Sequence, residues 1–220
     1  MSIAQNIITI KKELPSDVKL VAVSKFHPVE ALEEALEAGQ NVFGENRPQE
    51  FEKKAKALSE RGIEWHFIGH LQTNKLKMVL PYANLIESVD SLHLLENIDA
   101  WGKNNGKVVP VLLEMHIAAE ESKQGLYEEE ILDILFRAAS FKNVLFCGLM
   151  GMATNTDVED DIRADFGRIS DFMSYLKDLF PELSSFRELS IGMSGDWRIA
   201  LEYGATIVRI GTAIFGERQY

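Results

Sequence analysis

The stretch KLVAVSKFHPVEALEEALEAG, residues 19–39, contains one complete strand-and-helix unit. Its first part, KLVAVSK (19–25), is apolar and rich in valine, which is typical of a β-strand. Pro28 suits the first residue of a helix, and apolar residues then recur at helical spacing until Gly39 stops it. The stretch therefore predicts a strand followed at once by a helix that packs on it, the repeating unit of parallel α/β folds.

Eight strand-like segments of this kind alternate with helix-like ones, after a short amphipathic helix at the start of the chain. The segments are KLVAVSK (19–25), NVFGEN (41–46), IEWHFIG (63–69), LIESVD (85–90), KVVPVLLEMHI (107–117), NVLFCGLMGMA (143–153), RELSIGM (187–193) and TIVRIGTAIFG (206–216). Eight units predict a closed (β/α)8 TIM barrel, with an open doubly wound sheet as the alternative. Since no linker-like tract divides the 220 residues, we expect one domain over residues 1–220.

Composition narrows the class of function. The formal net charge is −11, which disfavours a general binder of nucleic acid or anionic membranes, because both need an excess of lysine and arginine. The only cysteine is Cys147, so no internal disulfide can form, as suits a reducing compartment. No hydrophobic leader and no apolar run of membrane-spanning length is visible. We therefore expect a cytoplasmic protein, and a monomer because no large exposed apolar surface is evident.

Polar residues at strand ends are the first candidates for a site, because the active face of such barrels lies at the C-terminal ends of the strands. Lys25 ends the first segment and Asn46 the second. Val21, Val23 and Lys25 share one strand face. If that face points into the barrel, the Lys25 amine is partly desolvated and can condense with an aldehyde. The alternative is a lysine that reaches solvent or pairs with a carboxylate such as Glu45.

Arg209 is a charged residue inside an otherwise apolar segment. A guanidinium stays charged, so its burial requires hydrogen-bond acceptors. One interpretation is a structural ion pair with a carboxylate on an adjacent strand. The other is a donor to a ligand, for example to an unprotonated heteroaromatic nitrogen.

Two glycine-containing segments, SIGMSGDW and RIGTAIFG, stand at the seventh and eighth strand ends, where barrels often bind phosphate. Ser194 and Gly195 precede a helix candidate, whose free N–H groups favour an anion. Gly211 and Thr212 add backbone N–H groups and a hydroxyl. The alternative is that the glycines only make turns and the serine only caps the helix.

The remaining polar residues receive less specific interpretations. The five histidines show no metal-ligand spacing, so no metal is predicted. His66 is interpreted as a hydrogen-bonded core histidine. Lys123, on the loop after the fifth strand, is either an anion contact or simply exposed.

Six segments together resemble a known family. The most specific is WHFIGHLQTNKLKMV (65–79), and VAVSK, FGENRPQE, EESKQGL, SIGMSGDW and RIGTAIFG occur around it in the expected order along nearly the whole chain. They resemble the single-domain barrels of the YggS/PROSC type, the pyridoxal phosphate homeostasis proteins, whose fold is similar to the barrel domain of alanine racemase. The resemblance implies pyridoxal 5′-phosphate as cofactor, held as an internal aldimine on Lys25, and a role in supplying or buffering it for apo-enzymes. The other cofactor contacts that it implies are Asn46, Gly192, Ser194, Gly195, Arg209 (facing the pyridine nitrogen), Gly211 and Thr212.

The chain departs from the family pattern at a few positions. Arg47 and Pro48 follow Asn46 where an aromatic and an aliphatic residue are expected, and His116 stands where members often have asparagine. None of these lies in the lysine or phosphate segments, so they bear on fine function rather than on cofactor binding.

Whether such a protein catalyses a reaction depends on its acid–base groups. Racemisation needs one on each face of the cofactor plane, and only Lys25 is evident. The chain ends at Tyr220, so we expect no second domain to supply the opposing tyrosine that alanine racemase uses. An arginine at the ring nitrogen also weakens the cofactor as an electron sink. We expect little or no turnover.

Two alternatives stay open. One is a pyridoxal-phosphate-dependent racemase or related amino-acid enzyme, with a second base from His70 or from a partner subunit. The other is an ordinary barrel enzyme that uses Lys25 as a Schiff-base lysine with a carbonyl substrate.

Overall fold

The computed structural model describes residues 2–120 and 124–217, so Lys123 and Tyr220 lie outside the described residues. Eight parallel strands form a closed barrel in chain order, and the last strand pairs with the first. The strands are β1 (Lys19–Val23), β2 (Val42–Glu45), β3 (Glu64–Phe67), β4 (Leu85–Val89), β5 (Val109–Met115), β6 (Val144–Gly151), β7 (Glu188–Ser190) and β8 (Ile207–Ile210). The predicted closed barrel is confirmed, and the alternative of an open doubly wound sheet is wrong.

Helices connect the strands around the outside, and one precedes β1 as predicted. They are α1 (Ile3–Glu13), α2 (Val29–Glu37), α3 (Pro48–Ala57), α4 (Leu76–Val79), α5 (Leu92–Asn105), α6 (Glu128–Phe136), α7 (Glu159–Leu179), α8 (Trp197–Glu202) and α9 (Thr212–Phe215). Among the described residues, none of these helices is both long enough and apolar enough to cross a membrane.

The sequence predicts one strand over the eighth segment, 206–216, and this prediction is wrong for the second half of the segment. β8 ends at Ile210, and the residues that follow turn into α9. The reason is local hydrogen bonding, because the Gly211 carbonyl accepts N–H groups from Ile214 and Phe215 at 2.9 Å each. An apolar run of this length does not distinguish a strand from a strand followed by a helical turn.

Several boundaries also differ from the prediction, and the first strand ends at Val23 instead of Lys25. Pro28 is the residue before α2 rather than its first helical residue, with ψ of 166° in the extended region. The seventh segment, 187–193, contains only three strand residues, and its remainder forms the loop that leads to α8.

Side-chain alternation along the strands separates two apolar layers. On β1, Leu20 and Ala22 join the large core between barrel and helices, whereas Val21 packs inside the barrel. The interior layer consists of Val21, Val42, Leu85, Leu112, Met150 and Ile207. The predicted strand face of Val21 therefore points inward, which directs Val23 and Lys25 towards the mouth of the barrel.

Gly148 lets β6 pass close to β7. Its φ is +149°, and a Cβ there would overlap the carbonyl oxygen of Glu188. We expect Gly148→Ala to lower the free energy of unfolding by roughly 3 kcal/mol or more, because backbone strain adds to overpacking. Gly204→Ala is the control, since Gly204 has a φ of +79° but open space around it, and its cost should be about 1 kcal/mol. Urea denaturation measures both, and equal losses would contradict the steric account.

Candidate functional site

A cavity of about 490 Å³ opens at the C-terminal ends of the strands, within the range of small-molecule sites. Its lining consists of Val23, Lys25, Asn46, Ile68, Gly69, His70, Glu114, Gln124, Met152, Met193, Ser194, Gly195, Arg209, Gly211 and Thr212. The structure therefore brings together every residue that the sequence analysis placed at the site, with the exception of Gly192. The lining residues come from the ends of seven of the eight strands or from the loops that follow those strands. They are distant in sequence but meet in one place.

Gly192 stands behind this wall rather than in it. Its φ is +91°, and a Cβ would lie 2.7 Å from Cβ of Ala200 and 2.9 Å from Cα of Trp197. Its carbonyl accepts the backbone N–H of Arg209 at 2.9 Å. Gly192 therefore allows α8 to pack closely and orients the backbone of Arg209.

Lys25 is the second residue after β1 and is half-buried in the cavity wall. The carboxylate considered as its alternative partner, Glu45, points the other way, towards α3. There Glu45 Oε1 accepts hydrogen bonds from Lys54 Nζ at 2.7 Å and from Ser24 Oγ at 2.6 Å. The strand end thus presents Lys25 to the cavity and Glu45 to the helix layer.

Arg209 is buried, with 4% of its surface exposed, and its guanidinium is held by three hydrogen bonds. Nη1 donates to the carbonyl and hydroxyl oxygens of Ser190 at 2.8 and 2.5 Å, and Nη2 donates to the Gly151 carbonyl at 2.9 Å. Glu87 Oε2 lies 3.6 Å from Nη1. Arg209 does have a carboxylate partner, but that partner lies on β4, across the barrel, and not on an adjacent strand as predicted. Arg209 also lines the cavity, and its role as a donor to a ligand stays a prediction.

The bonds of Arg209 leave part of its donor capacity for a ligand. A guanidinium carries five N–H groups, and the hydrogen bonds within the described chain engage three of them. The remaining donors belong to a side chain that forms part of the cavity wall.

A buried polar chain continues from Arg209 through the barrel interior. Ser190 Oγ donates to Glu87 Oε2 at 2.6 Å, Glu87 Oε1 contacts His66 Nδ1 at 2.5 Å, and His66 Nε2 contacts Glu64 Oε1 at 3.0 Å. Burial alone would lower the pKa of His66, but its hydrogen bonds to the two carboxylates raise it above the ordinary value. The interpretation of His66 as a hydrogen-bonded core histidine is confirmed.

The two carboxylates in this series of hydrogen-bonded side chains carry negative charges that balance those of Arg209 and His66. Burial alone would raise the pKa of Glu87, but the hydrogen bond and charge of His66, with Arg209 and Ser190, hold that pKa below its ordinary value. The hydrogen bond with His66 is the main reason that the pKa of Glu64 is lowered to about 2, and Lys19 lowers it further. Burial opposes both effects. Alternating charges therefore extend from the cavity wall to the opposite end of the barrel.

Two further polar features mark the cavity as a binding site. The Asn46 Oδ1 atom is buried and has no hydrogen-bond partner, which is costly unless a ligand or water supplies a donor. Ser194 Oγ lies over the start of α9, where it accepts the N–H groups of Gly211 at 3.2 Å and Ala213 at 3.4 Å. Hydroxyl and backbone N–H donors are thus grouped on one wall.

Sequence reasoning missed several lining residues, of which Glu114 is the most informative. It lies in the apolar strand β5 and is only 4% exposed. The same signal that identified Arg209, a charged residue within an apolar strand, could have identified it. Gln124 lies on a loop, and no sequence signal pointed to its side chain.

Glu114 is a titratable group within the cavity. Burial, with a smaller contribution from the charge of Asp90, raises its pKa to about 7 against the opposing charge of Arg209. Asp90 itself contacts Nδ1 of His70, another lining residue, at 2.8 Å. Near neutral pH the cavity therefore holds a carboxyl group that can either donate or accept a proton.

Within the described ranges, no three histidine, cysteine or acidic side chains are grouped so as to hold a metal ion. The chemistry of the cavity rests on an amine, a guanidinium, a carboxyl and hydrogen-bonding groups.

The fold and the cavity define a class, the (β/α)8 barrels with a lysine, an arginine and a serine grouped at the mouth. The family model described as alanine racemase, N-terminal domain, matches residues 1–219. A pyridoxal phosphate homeostasis protein of Aquifex aeolicus is 39% identical over 92% of this chain and 88% of that protein. One of Vibrio alginolyticus is 36% identical over 100% of this chain and 99% of that protein. The chain belongs to this family, that of the pyridoxal phosphate homeostasis proteins.

Solved structures agree with this assignment. PipY of Synechococcus elongatus without pyridoxal phosphate superimposes with a TM-score of 0.93 at 35% identity, over 98% of this chain and 100% of that one. The same protein with pyridoxal phosphate bound gives 0.90 at 34% identity with the same coverage. Alanine racemase from E. faecalis, at 18% identity and a TM-score of 0.80, shares the fold over 98% of this chain and 57% of its own.

The raised pKa of Glu114 predicts a pH-dependent cost to stability. Below about pH 4.5 the carboxyl is protonated in both folded and unfolded chains. Between pH 4.5 and 7 the unfolded chain releases a proton that the folded chain keeps, so stability falls as pH rises, and the full cost remains above pH 7. Glu114→Gln should therefore be more stable than the wild type at pH 8, by roughly 3 kcal/mol at most.

Urea denaturation of both proteins at pH 5 and pH 8 measures this difference. The gain from Glu114→Gln should shrink strongly towards pH 5. An equal gain at both pH values would mean that the substitution acts through packing rather than through the proton.

Proposed function

We propose that this protein binds pyridoxal 5′-phosphate in the cavity, holds it covalently on Lys25, and supplies or buffers it in the cell with little or no turnover. One observation carries the proposal: Lys25, Asn46, Arg209 and the hydroxyl and N–H groups around Ser194 converge on the wall of one cavity. The bound cofactor in the PipY structure supports it, since that fold is shared along nearly the whole chain.

The residues present fit this cofactor. Ser194 Oγ and Thr212 would hold the phosphate, because both lie on the cavity wall at the start of α9. The Gly211 N–H would join them by exchanging its bond to Ser194 Oγ for one to the phosphate. Gly195 has no neighbouring atom within 4 Å of a notional Cβ, so a ligand can approach its backbone. The Asn46 amide would bond a polar substituent of the ring.

Pyridoxal phosphate, when bound, supplies an aldehyde with which a lysine amine condenses to a Schiff base with loss of water. Lys25 is suited to provide that amine, because it stands at a strand end that points into the cavity.

Arg209 also limits what the site can catalyse. It is permanently charged, carries only donors, and is fixed by Ser190 and Gly151. A ring nitrogen placed against these donors would accept a hydrogen bond and would therefore stay without a proton. An unprotonated ring withdraws electrons poorly, so carbanion chemistry is disfavoured.

The proposed role extends to delivery. A protein that holds the cofactor without using it can pass it to apo-forms of pyridoxal-phosphate-dependent enzymes, and we propose a cytoplasmic monomer for this role. Which enzymes receive the cofactor depends on contacts that lie outside the cavity.

Lys25→Ala tests the covalent link. After addition of pyridoxal 5′-phosphate and removal of the excess, the wild-type protein should show a visible imine band, and borohydride should fix the added mass on the peptide that contains Lys25. Lys25→Ala should show neither, because no amine remains at that strand end. Lys53→Ala is the control, since Lys53 is exposed on α3, and it should behave as wild type. A band of full strength in Lys25→Ala would refute the assignment.

A second candidate, an amino-acid racemase, is favoured by a separate observation. His70, paired with Asp90, and the protonatable Glu114 line the same cavity as Lys25. Either could act as the second acid–base group that racemisation requires.

Incubation of the loaded protein with L- or D-alanine in deuterated water separates the two candidates. The proposed carrier function predicts no α-deuterium above the level given by free pyridoxal 5′-phosphate. Incorporation that exceeds this level and is abolished by His70→Ala would instead establish the racemase.

A further inference from the structure

The backbone around Lys25 has an unusual conformation. β1 ends at Val23, and Phe26, directly after the lysine, has a φ of +68°. Among the described residues, Phe26 is the only non-glycine residue with a positive φ. For a bulky L-residue this conformation is unfavourable and persists only where surrounding contacts impose it.

Lys54 on α3 supplies the first of these contacts. Its ammonium is buried and donates to the Ser24 carbonyl at 2.8 Å, to Glu45 Oε1 at 2.7 Å and to Glu50 Oε1 at 2.7 Å. These three bonds account for all three donors of a lysine. The carbonyl group immediately before Lys25 is therefore fixed to a helix by a charged, water-excluded hydrogen bond.

Glu50, one turn earlier on the same helix, supplies the second contact. Its Oε1 accepts the backbone N–H of Phe26 at 2.8 Å as well as the bond from Lys54. The amide group immediately after Lys25 is therefore fixed to the same ion pair. In addition, the Arg47 guanidinium stacks over the Phe26 ring at 4.5 Å from its centroid, an attractive geometry for a cation and an aromatic ring.

We propose that the Lys54–Glu50 ion pair, with Arg47, is a positioning device that brackets the backbone of Lys25 and directs its amine into the cavity. The device grips the chain on both sides of the lysine, from the outer face of the barrel, and leaves the inner face to the ligand. It deepens the proposed function, on which it rests. It also gives a structural role to Arg47, a residue at which this chain departs from the family pattern.

A device of this kind has a clear physical purpose. A strand end tends to fray, and a lysine side chain has four rotatable bonds, so an unfixed backbone would let the amine spend much of its time outside the cavity. Fixing the two flanking peptide groups removes most of that freedom before the ligand arrives. Lys54 and Glu50 touch neither the cavity nor the ligand space, since neither lines the cavity.

The helix offers a matched control. Glu52 and Lys56 form a second ion pair at the same spacing and the same 2.7 Å distance, on the exposed side of α3. Glu50→Ala removes the acceptor of the Phe26 amide, Glu50→Gln retains an oxygen there, and Glu52→Ala removes an equivalent carboxylate that does not contact the loop.

Two ligands separate positioning from binding. Pyridoxal 5′-phosphate reports covalent capture by Lys25 through its imine band. Pyridoxine 5′-phosphate carries an alcohol in place of the aldehyde, so its affinity reports the cavity alone.

For Glu50→Ala we expect covalent capture to weaken about ten-fold, the factor that corresponds to one lost hydrogen bond to a charged group. Affinity for pyridoxine 5′-phosphate should stay within about two-fold, since the cavity wall is unchanged. Glu50→Gln should recover most of the capture, and Glu52→Ala should match the wild type. Parallel loss of both affinities, or no loss of capture, would overturn the proposal.

Acetylation of Lys25 by trace acetic anhydride, measured by mass spectrometry, adds a readout that needs no imine. In the wild type, saturating pyridoxine 5′-phosphate should shield Lys25, because the amine and the ligand share the cavity. In Glu50→Ala the shielding should be largely lost, while Glu52→Ala keeps it. Shielding that is equal in Glu50→Ala and wild type would contradict the positioning role.

Failure of the proposed function and failure of the positioning role give different results. If the wild type binds neither compound, the proposed function fails. The positioning role is then decided by whether Glu50→Ala, without any ligand, changes the acetylation rate of Lys25.

A second variant covers the case in which Glu50→Ala does not fold, as circular dichroism would reveal. Arg47→Ala then replaces it, because Arg47 is exposed. The same weakening of capture at unchanged pyridoxine 5′-phosphate affinity is then expected, and its absence would refute the device.

Discussion

The guanidinium of Arg209 is buried inside the barrel and cannot lose its charge, and much of the surrounding structure follows from this constraint. Its acceptors come from other strands: Ser190 on β7, Gly151 on β6 and the nearby carboxylate of Glu87 on β4. Removal of one partner from such a buried pair typically costs about 3–5 kcal/mol. Because His66 then compensates Glu87, the barrel interior contains a continuous series of charged groups beside its apolar layer. A cavity with a fixed positive wall is the result.

The strand ends have two faces with different tasks. Inward-facing residues such as Lys25 and Asn46 line the cavity, whereas their neighbours Ser24 and Glu45 face α3 and bond to Lys54. Period-two alternation places the two sets on opposite sides of the same short stretch of chain. Chemistry and support can therefore be adjacent in sequence without competing for space, and the helix layer holds the site rigid from outside.

The accuracy of sequence reasoning varied between elements for identifiable reasons. Lys25, Asn46, Ser194 and the glycine-containing loops were found because strand ends of a parallel barrel converge, so their position along each strand was sufficient. Gly192 allows close packing of α8 and does not line the cavity, and its ligand contact stays a prediction, since a glycine looks the same in sequence whether ligand or backbone approaches it. Glu114 was overlooked, although a charge within an apolar strand was visible.

The sequence left closure into a barrel open against an open sheet, but it determined the number and order of the strand-and-helix units and several of the residues at the barrel mouth. These follow from apolar periodicity and from side-chain alternation, which are local properties of the chain. Only the tertiary structure decided that Arg209 is held by Glu87, which is 122 residues away along the chain, and by Ser190, which is 19 residues away. It also decided that Phe26 adopts a left-handed conformation beside Lys25. Both depend on groups that meet only when the ring of strands closes and α3 packs against it, and no local pattern encodes which distant acceptor a buried cation will find.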